Sequence, residues 1–211
     1  MLGAWGTATL AHEKAKASEF LRLAAEAARE HEAKSGDGLL TDAVNVAGSR
    51  EGVDLERLAA GHAAYDRARG DALYAECNAD LALAARQLAA AGTPFAAWAY
   101  LVRRICGYFE KRILDSDRDL DHAAAIAAEH EYPALDGRVR WIRGLLRMVA
   151  ARFPEAEREI RGAAGSLRMA HEPAHVTYLD TLLAKTLDHS GNVNSAWAAR
   201  WRVLRSRAQL D

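Results

Sequence analysis

Gly144-Leu-Leu-Arg-Met-Val-Ala-Ala-Arg-Phe-Pro-Glu-Ala156 and Ala184-Lys-Thr-Leu-Asp-His-Ser-Gly-Asn-Val-Asn-Ser-Ala196 are one pattern written twice, 40 residues apart. Each begins on a small residue, breaks at a short turn around Ala151 or Gly191, and reaches a second small residue twelve positions after the first. The first continues to Ile160 and Ala163, the second to Arg200 and Val203. Two antiparallel helices that cross through small side chains have this spacing, so each stretch reads as a helical hairpin. Hairpins of this kind stack, and a stack offers a binding surface rather than a reaction centre.

Working outward, nearly everything reads helical. Residues 4–33 carry Leu10, Ala17, Phe20, Leu21, Ala24 and Ala28 at helical spacing. Ser35-Gly-Asp-Gly38 ends that stretch, and Leu39–Ala47 reads as a short helix before the break at Gly48-Ser-Arg-Glu-Gly52. Leu55, Leu58, Ala59, His62 and Tyr65 mark a helix running to Gly70, and a further helical run spans 71–91. Thr93 and Pro94 supply an N-cap and a first helical residue for the next helix, from Phe95 to Phe109. Its partner runs from about Asp117 to Glu129. The last two pairs are Leu135–Ala150 with Pro154–Met169, and Ala174–Ser190 with Asn194–Leu210. No sustained alternation of apolar and polar residues appears, so no strand is expected.

The breaks near Thr93, Tyr132 and Glu172 recur at about 40 residues, longer than the tetratricopeptide period of about 34. The fold expected is all-α: a right-handed superhelix of antiparallel helical hairpins. It divides into an N-terminal helical segment, 1–53, and one continuous array of about four hairpins, 54–211.

Bulk properties agree with a packed helical chain. Half of the 211 residues are hydrophobic, enough for a sizeable core. No apolar window approaches the roughly 18 residues that a membrane span needs. Met1-Leu-Gly-Ala-Trp-Gly6 has neither a basic start nor a long apolar core, so no signal peptide is read there. Cys77 and Cys106 fit no metal or redox spacing and are expected as buried free thiols in a cytoplasmic protein.

The formal net charge of −1 hides an uneven spread. Residues 1–136 hold 15 basic and 22 acidic side chains, and residues 137–211 hold 13 and 7. Solvated faces of different sign explain this, and an anionic partner for the C-terminal part is the alternative.

The small–small spacing, Phe153, Ala156 and Ala196 resemble the tetratricopeptide repeat (TPR). Trp141 lies one position off the usual aromatic site, and the closing proline has no counterpart after Ala163. A closer resemblance rests on Gly92-Thr-Pro-Phe-Ala-Ala-Trp98 and on Tyr132-Pro-Ala-Leu-Asp-Gly-Arg138 with Trp141 and Gly144-Leu145. His171-Glu-Pro-Ala-His175, Leu182-Leu-Ala184 and Ala196-Trp-Ala-Ala-Arg200 add to it. Over about residues 54–210 these look like the long-helix TPR region of bacterial CHAT-family proteins, caspase-like peptidases that carry TPRs on their N-terminal side. The resemblance implies the repeat portion alone. The α/β peptidase unit, with its His and Cys following strands, has no counterpart here.

The same resemblance implies a concave groove made by the first helix of each hairpin. Carrying over the TPR pattern from Gly144 and Ala184 points Arg138, Trp141 and Leu145 into it, and then Tyr178, Thr181 and Lys185. Basic residues there would hold a peptide carboxylate and aromatics its apolar side chains. A protein or peptide partner is therefore expected, with a peptidase domain in cis or a second copy stacked on an end hairpin as further possibilities. No catalytic residue, cofactor or metal is expected.

Three other motifs bear on chemistry. His171-Glu-Pro-Ala-His175 matches the H-E-x-x-H zinc signature, which needs both histidines on one helix face. Pro173 at its centre would cost a helix interior about 3 kcal/mol, and the extended motif's glycine and third histidine are replaced by Tyr178 and Thr181. Asp115-Ser-Asp-Arg-Asp-Leu-Asp121 lacks the Gly and Glu of a calcium loop and reads as an acidic helix start. Trp197-Ala-Ala-Arg-Trp-Arg-Val-Leu-Arg-Ser-Arg207 has the cations and aromatics for nucleic-acid phosphates and bases. Trp197, Trp201 and Leu204 also share one helix face, expected to pack on the previous hairpin or on an element that follows.

Overall fold

The computed structural model describes residues 1–70, 74–109 and 117–208, and every regular element among them is a helix. The chain divides into two compact units, Met1–Tyr132 and Pro133–Asp211. The first holds α1 (Leu2–Leu10), α2 (Lys14–Ser35), α3 (Leu39–Ser49), α4 (Gly52–Gly70), α5 (Tyr74–Ala90), α6 (Ala96–Phe109) and α7 (Arg118–Glu129). The second holds α8 (Pro133–Val149), α9 (Phe153–Met169), α10 (Pro173–His189) and α11 (Val193–Arg207). No described helix is long and apolar enough to cross a membrane.

One turn type recurs. His12, Gly92, Glu131, Ala151, His171 and Gly191 all adopt positive φ, between 53° and 77°. In each case the next residue's N–H donates to the carbonyl five residues back: Glu13 to Ala8, Thr93 to Leu88, Tyr132 to Ala127, Arg152 to Arg147, Glu172 to Leu167 and Asn192 to Leu187. This closure satisfies a helix-end carbonyl and reverses the chain within two residues. From Glu131 onward the left-handed residues fall at 131, 151, 171 and 191, one every twenty positions.

In the first unit α1 packs on α2 and α4, and α2 on α3. Further along, α4 packs on α5, α5 on α6 and α6 on α7. The approach of α1 to α4 depends on glycine, because a Cβ on Gly6 would lie 2.5 Å from the Ala59 carbonyl oxygen. The N-terminal helical segment, 1–53, packs directly on the helix that follows it, since α1 rests on α4. Residues 4–33 do not form one helical stretch: Ala11, His12 and Glu13 separate α1 from α2. The sequence carries no glycine or proline there, and His12 takes the left-handed conformation with its Cβ in place. Tyr132, 2% exposed, donates its hydroxyl to Asp42 of α3, and its ring stacks on His130 at 5.3 Å. Burial and this bond push the Tyr132 phenol far up.

Cys106 corrects an expectation. It is buried, but it is disulfide-bonded rather than a free thiol. The side chain of Cys77 lies outside the described residues.

In the second unit α8 packs on α9, α9 on α10 and α10 on α11. Small residues set the crossings, as the repeated pattern predicts. A Cβ on Gly144 would lie 2.8 Å from Ile160 Cγ1, and one on Gly137 would lie 2.6 Å from Leu167 Cγ. Ala184 and Ala196 are buried at the second crossing. Ile160, Leu167, Leu179 and Leu187 are fully enclosed, each worth about 1.5–3 kcal/mol relative to exposure.

Candidate recognition surface

The entry to α10 organises the polar side of the second unit. The left-handed turn at His171 brings the chain round, Glu172 sits at the N-cap and Pro173 opens the helix. Proline suits that place because its missing N–H has no helical partner there. The Glu172 carboxylate then receives the Arg138 guanidinium from α8 in a two-pronged pair, Nη1 to Oε1 and Nη2 to Oε2, both 2.8 Å. Arg138 also donates to the Ala134 carbonyl at 3.1 Å. Nδ1 of His175 lies 2.6 Å from Glu172 Oε2. One carboxylate therefore ties α8 to the first turn of α10.

Trp141 lies next to this cluster, its ring 5.8 Å from His175 and 5.1 Å from Tyr178. Its indole is half-buried, packed against the Ile160–Ala199 core, with Nε1 enclosed and without a hydrogen-bond partner among the described residues. Leu145 packs on the same core. Thr181 donates its hydroxyl to the Thr177 carbonyl at 3.2 Å. Tyr178 and Lys185 are exposed.

Of the six residues expected in a groove, Trp141 and Tyr178 are thus in contact. Arg138 is engaged by Glu172, Leu145 serves the core, and Thr181 serves its own helix. Lys185 is the cation of the six that extends into solvent. The sequence could not reveal the Arg138–Glu172 pair, whose members are 34 positions apart. The 20-residue turn spacing, which places position 138 one hairpin before 172, was the one available signal.

The H-E-x-x-H stretch does not have the helical form that zinc binding by this motif needs. His171 is in the turn, and Glu172 is committed to Arg138 and His175. Among the described residues no three His, Cys, Asp or Glu side chains are grouped to hold a metal ion. In the acidic stretch before α7, residues 115 and 116 lie outside the described residues. Asp117 is the N-cap of α7, and Asp119 in its first turn takes Arg103 through a bond of 2.6 Å from Nε.

The last helix shows a second surface. Val193, Trp197, Trp201 and Leu204 are 54%, 56%, 59% and 54% exposed. They fall at i, i+4, i+8 and i+11, a single stripe along α11. The expectation that this face packs on the previous hairpin is overturned: Ala196 and Ala199 make that contact instead. Their small side chains let α11 lie close to α10, and the tryptophans project beside the contact. Arg200 lies over the Trp197 ring at 5.0 Å and pairs with Asp188, while Arg202 pairs with the buried Asp180 at 2.8 Å. Two cations of the basic stretch are therefore already neutralised within the unit, and Arg205 stands exposed beside them. Val193 escaped the sequence reading because it lies at the helix start, one turn before the tryptophans.

Compared with protein-family models, with curated proteins and with solved structures, the chain finds no match.

Proposed function

We propose that this chain is a non-catalytic recognition module that binds a protein or peptide segment through the second unit. The exposed Val193–Trp197–Trp201–Leu204 stripe supports this reading above all. Large apolar side chains held in a row on a rigid helix are costly to leave in water, and tryptophan is enriched among residues that dominate binding energy. Arg205 and Lys185 and the basic excess of residues 137–211 favour an acidic, amphipathic segment as the ligand. The Trp141–Tyr178 pair offers a second aromatic surface on the α8/α10 side.

In this reading the hairpins are TPR-like and continue one another in a right-handed superhelical sense. In a CHAT-like setting the module would sense a partner and pass the event to a caspase-like peptidase domain. The surface holds and releases; it makes and breaks no bonds.

The test is selection of peptides from a random display library. The parent chain, a Trp197→Ala/Trp201→Ala variant and a Tyr178→Ala/Lys185→Glu variant are compared after circular dichroism has shown each to be folded. Enriched acidic–apolar peptides that bind the parent in the micromolar range and lose tenfold or more on the tryptophan variant support the reading. Failure of the parent to enrich any sequence, or equal binding by all three chains, sinks it.

A further inference from the structure

A buried histidine without partners stands beside a cavity in the first unit. His62 of α4 is 1% exposed, and neither ring nitrogen has a hydrogen-bond partner among the described residues. Its ring is held between Trp5, at 5.8 Å edge-on, and Phe95, at 4.9 Å. Burial keeps it neutral, holding its pKa down to about 3. A neutral imidazole carries one donor and one acceptor, and leaving both unmet in a core is unfavourable.

The cavity in whose wall His62 stands has a volume of about 180 Å³. Its two sides differ in character. From α4 come His62, Tyr65, Asp66 and Arg69, at i, i+3, i+4 and i+7, one face of the helix. Opposite them, α2 and α3 contribute Ala28 and Val44 among other apolar side chains, while Met1, with its terminal amine, and Leu2 line the α1 end. Polarity on the α4 side rises outward: His62 is enclosed, Tyr65 is half-buried, and Asp66 and Arg69 reach solvent.

A helix face packed wholly into a core would carry apolar residues at these four positions. Water at the apolar wall has no polar partner there, and an apolar body covers that wall better. The volume exceeds that of an engineered apolar cavity, roughly 150 Å³, that takes up benzene.

From the unpartnered His62 and the two-sided cavity we infer a binding site for a small neutral amphipathic molecule, a six-membered ring or short chain carrying one hydroxyl. The apolar body lies against Ala28 and Val44. The hydroxyl donates to the unprotonated nitrogen of His62, which is enclosed in the free chain and turns toward the cavity about Cβ–Cγ as the molecule seats. Asp66 and Arg69 mark the open end through which the molecule enters.

Phenol is the probe, with benzene as the partner that lacks the hydroxyl. Binding is followed by ligand-observed and ¹⁵N-detected NMR on the full chain, and His62→Phe and Ala28→Leu are compared after their folds are checked by circular dichroism. Phenol is expected to bind the parent in the millimolar range and to weaken about tenfold on His62→Phe, as the loss of one hydrogen bond requires. Benzene should be indifferent to that change, and Ala28→Leu should abolish binding of both. Independently of either variant, phenol should move the ring-nitrogen resonances of His62 in the parent. Absence of phenol binding, equal binding by His62→Phe, or unmoved His62 resonances at saturation would each overturn the inference and leave a cavity that holds solvent only.

Discussion

Arg138 on α8 and Glu172 at the start of α10 meet in a two-pronged ion pair with 2.8 Å on each arm. Their side chains are 22% and 15% exposed, so the pair is screened far less than one on an open surface. Parallel guanidinium–carboxylate contacts fix direction as well as distance. The pair therefore sets where α10 begins relative to α8. Replacing Arg138 or Glu172 by Ala should destabilise the second unit by about 1–2 kcal/mol, and the double variant should lose less than the sum, leaving a coupling of about 1 kcal/mol. Urea denaturation of the four proteins measures that coupling, and strict additivity would show that the pair contributes nothing.

His62 predicts a pH dependence. Its pKa lies near 3 in the folded chain against an ordinary 6.5, because burial and the nearby N-terminal amine both oppose the imidazolium. A lowered histidine pKa leaves stability untouched above pH 6.5. Below that, the unfolded chain takes up a proton that the folded chain refuses, and stability falls until about pH 3. Two units below 6.5 the loss should reach about 2–3 kcal/mol. Urea midpoints measured at pH 7.0, 5.5 and 4.5 should fall more steeply for the parent than for His62→Phe, and parallel slopes would contradict a buried neutral imidazole.

Three glycines of the second unit should respond to the same substitution in three ways. Gly144→Ala drives a Cβ to 2.8 Å from the buried Ile160 and should cost about 1–3 kcal/mol through overpacking. Gly191→Ala meets no described atom within 4 Å but must hold φ at +77°, costing about 1 kcal/mol. Gly165→Ala, within α9 and also without neighbours among the described residues, should gain about 0.5–1 kcal/mol from helix propensity and a less free unfolded chain. Chemical denaturation ranks them, and an order other than Gly165→Ala, parent, Gly191→Ala, Gly144→Ala would refute either the crossing or the turn geometry.

Cys106 should resist alkylation in denaturant until a reductant is added, because a disulfide sulfur is no nucleophile. Peptide mass mapping with and without dithiothreitol reads this directly. Labelling of Cys106 without reductant would restore the free thiol that the sequence suggested.

The α8–α11 hairpins were legible in the sequence because local chemistry and packing agree there. Small residues at 144, 156, 184 and 196 sit at the crossings, and Pro154 and Pro173 sit in the first helical turns. The break at His12 was not legible. No glycine or proline stands there, and His12 takes the left-handed conformation at the turn from α1 into α2. The periodicity of α4 did place His62 among its inward positions. That its nitrogens lack partners depends on Trp5 and Phe95, which are distant in sequence. The face of Trp197 and Trp201 was recognised as one stripe but expected to be covered. Periodicity reports that residues share a side of a helix, not whether a neighbour stands there.

The spacing of the left-handed turns at 131, 151, 171 and 191 constrains how such a chain can change in length. One residue inserted into α9 or α10 would rotate everything beyond it by about 100°, turning Leu167 or Leu187 toward solvent and a charged side chain inward. A two-residue turn has no slack to absorb that rotation. A single-residue insertion in α9 or α10 should therefore unfold the second unit, whereas insertion of a whole block of about 40 residues would keep every phase. The length of this part of the molecule can change without loss of its core only by whole hairpins.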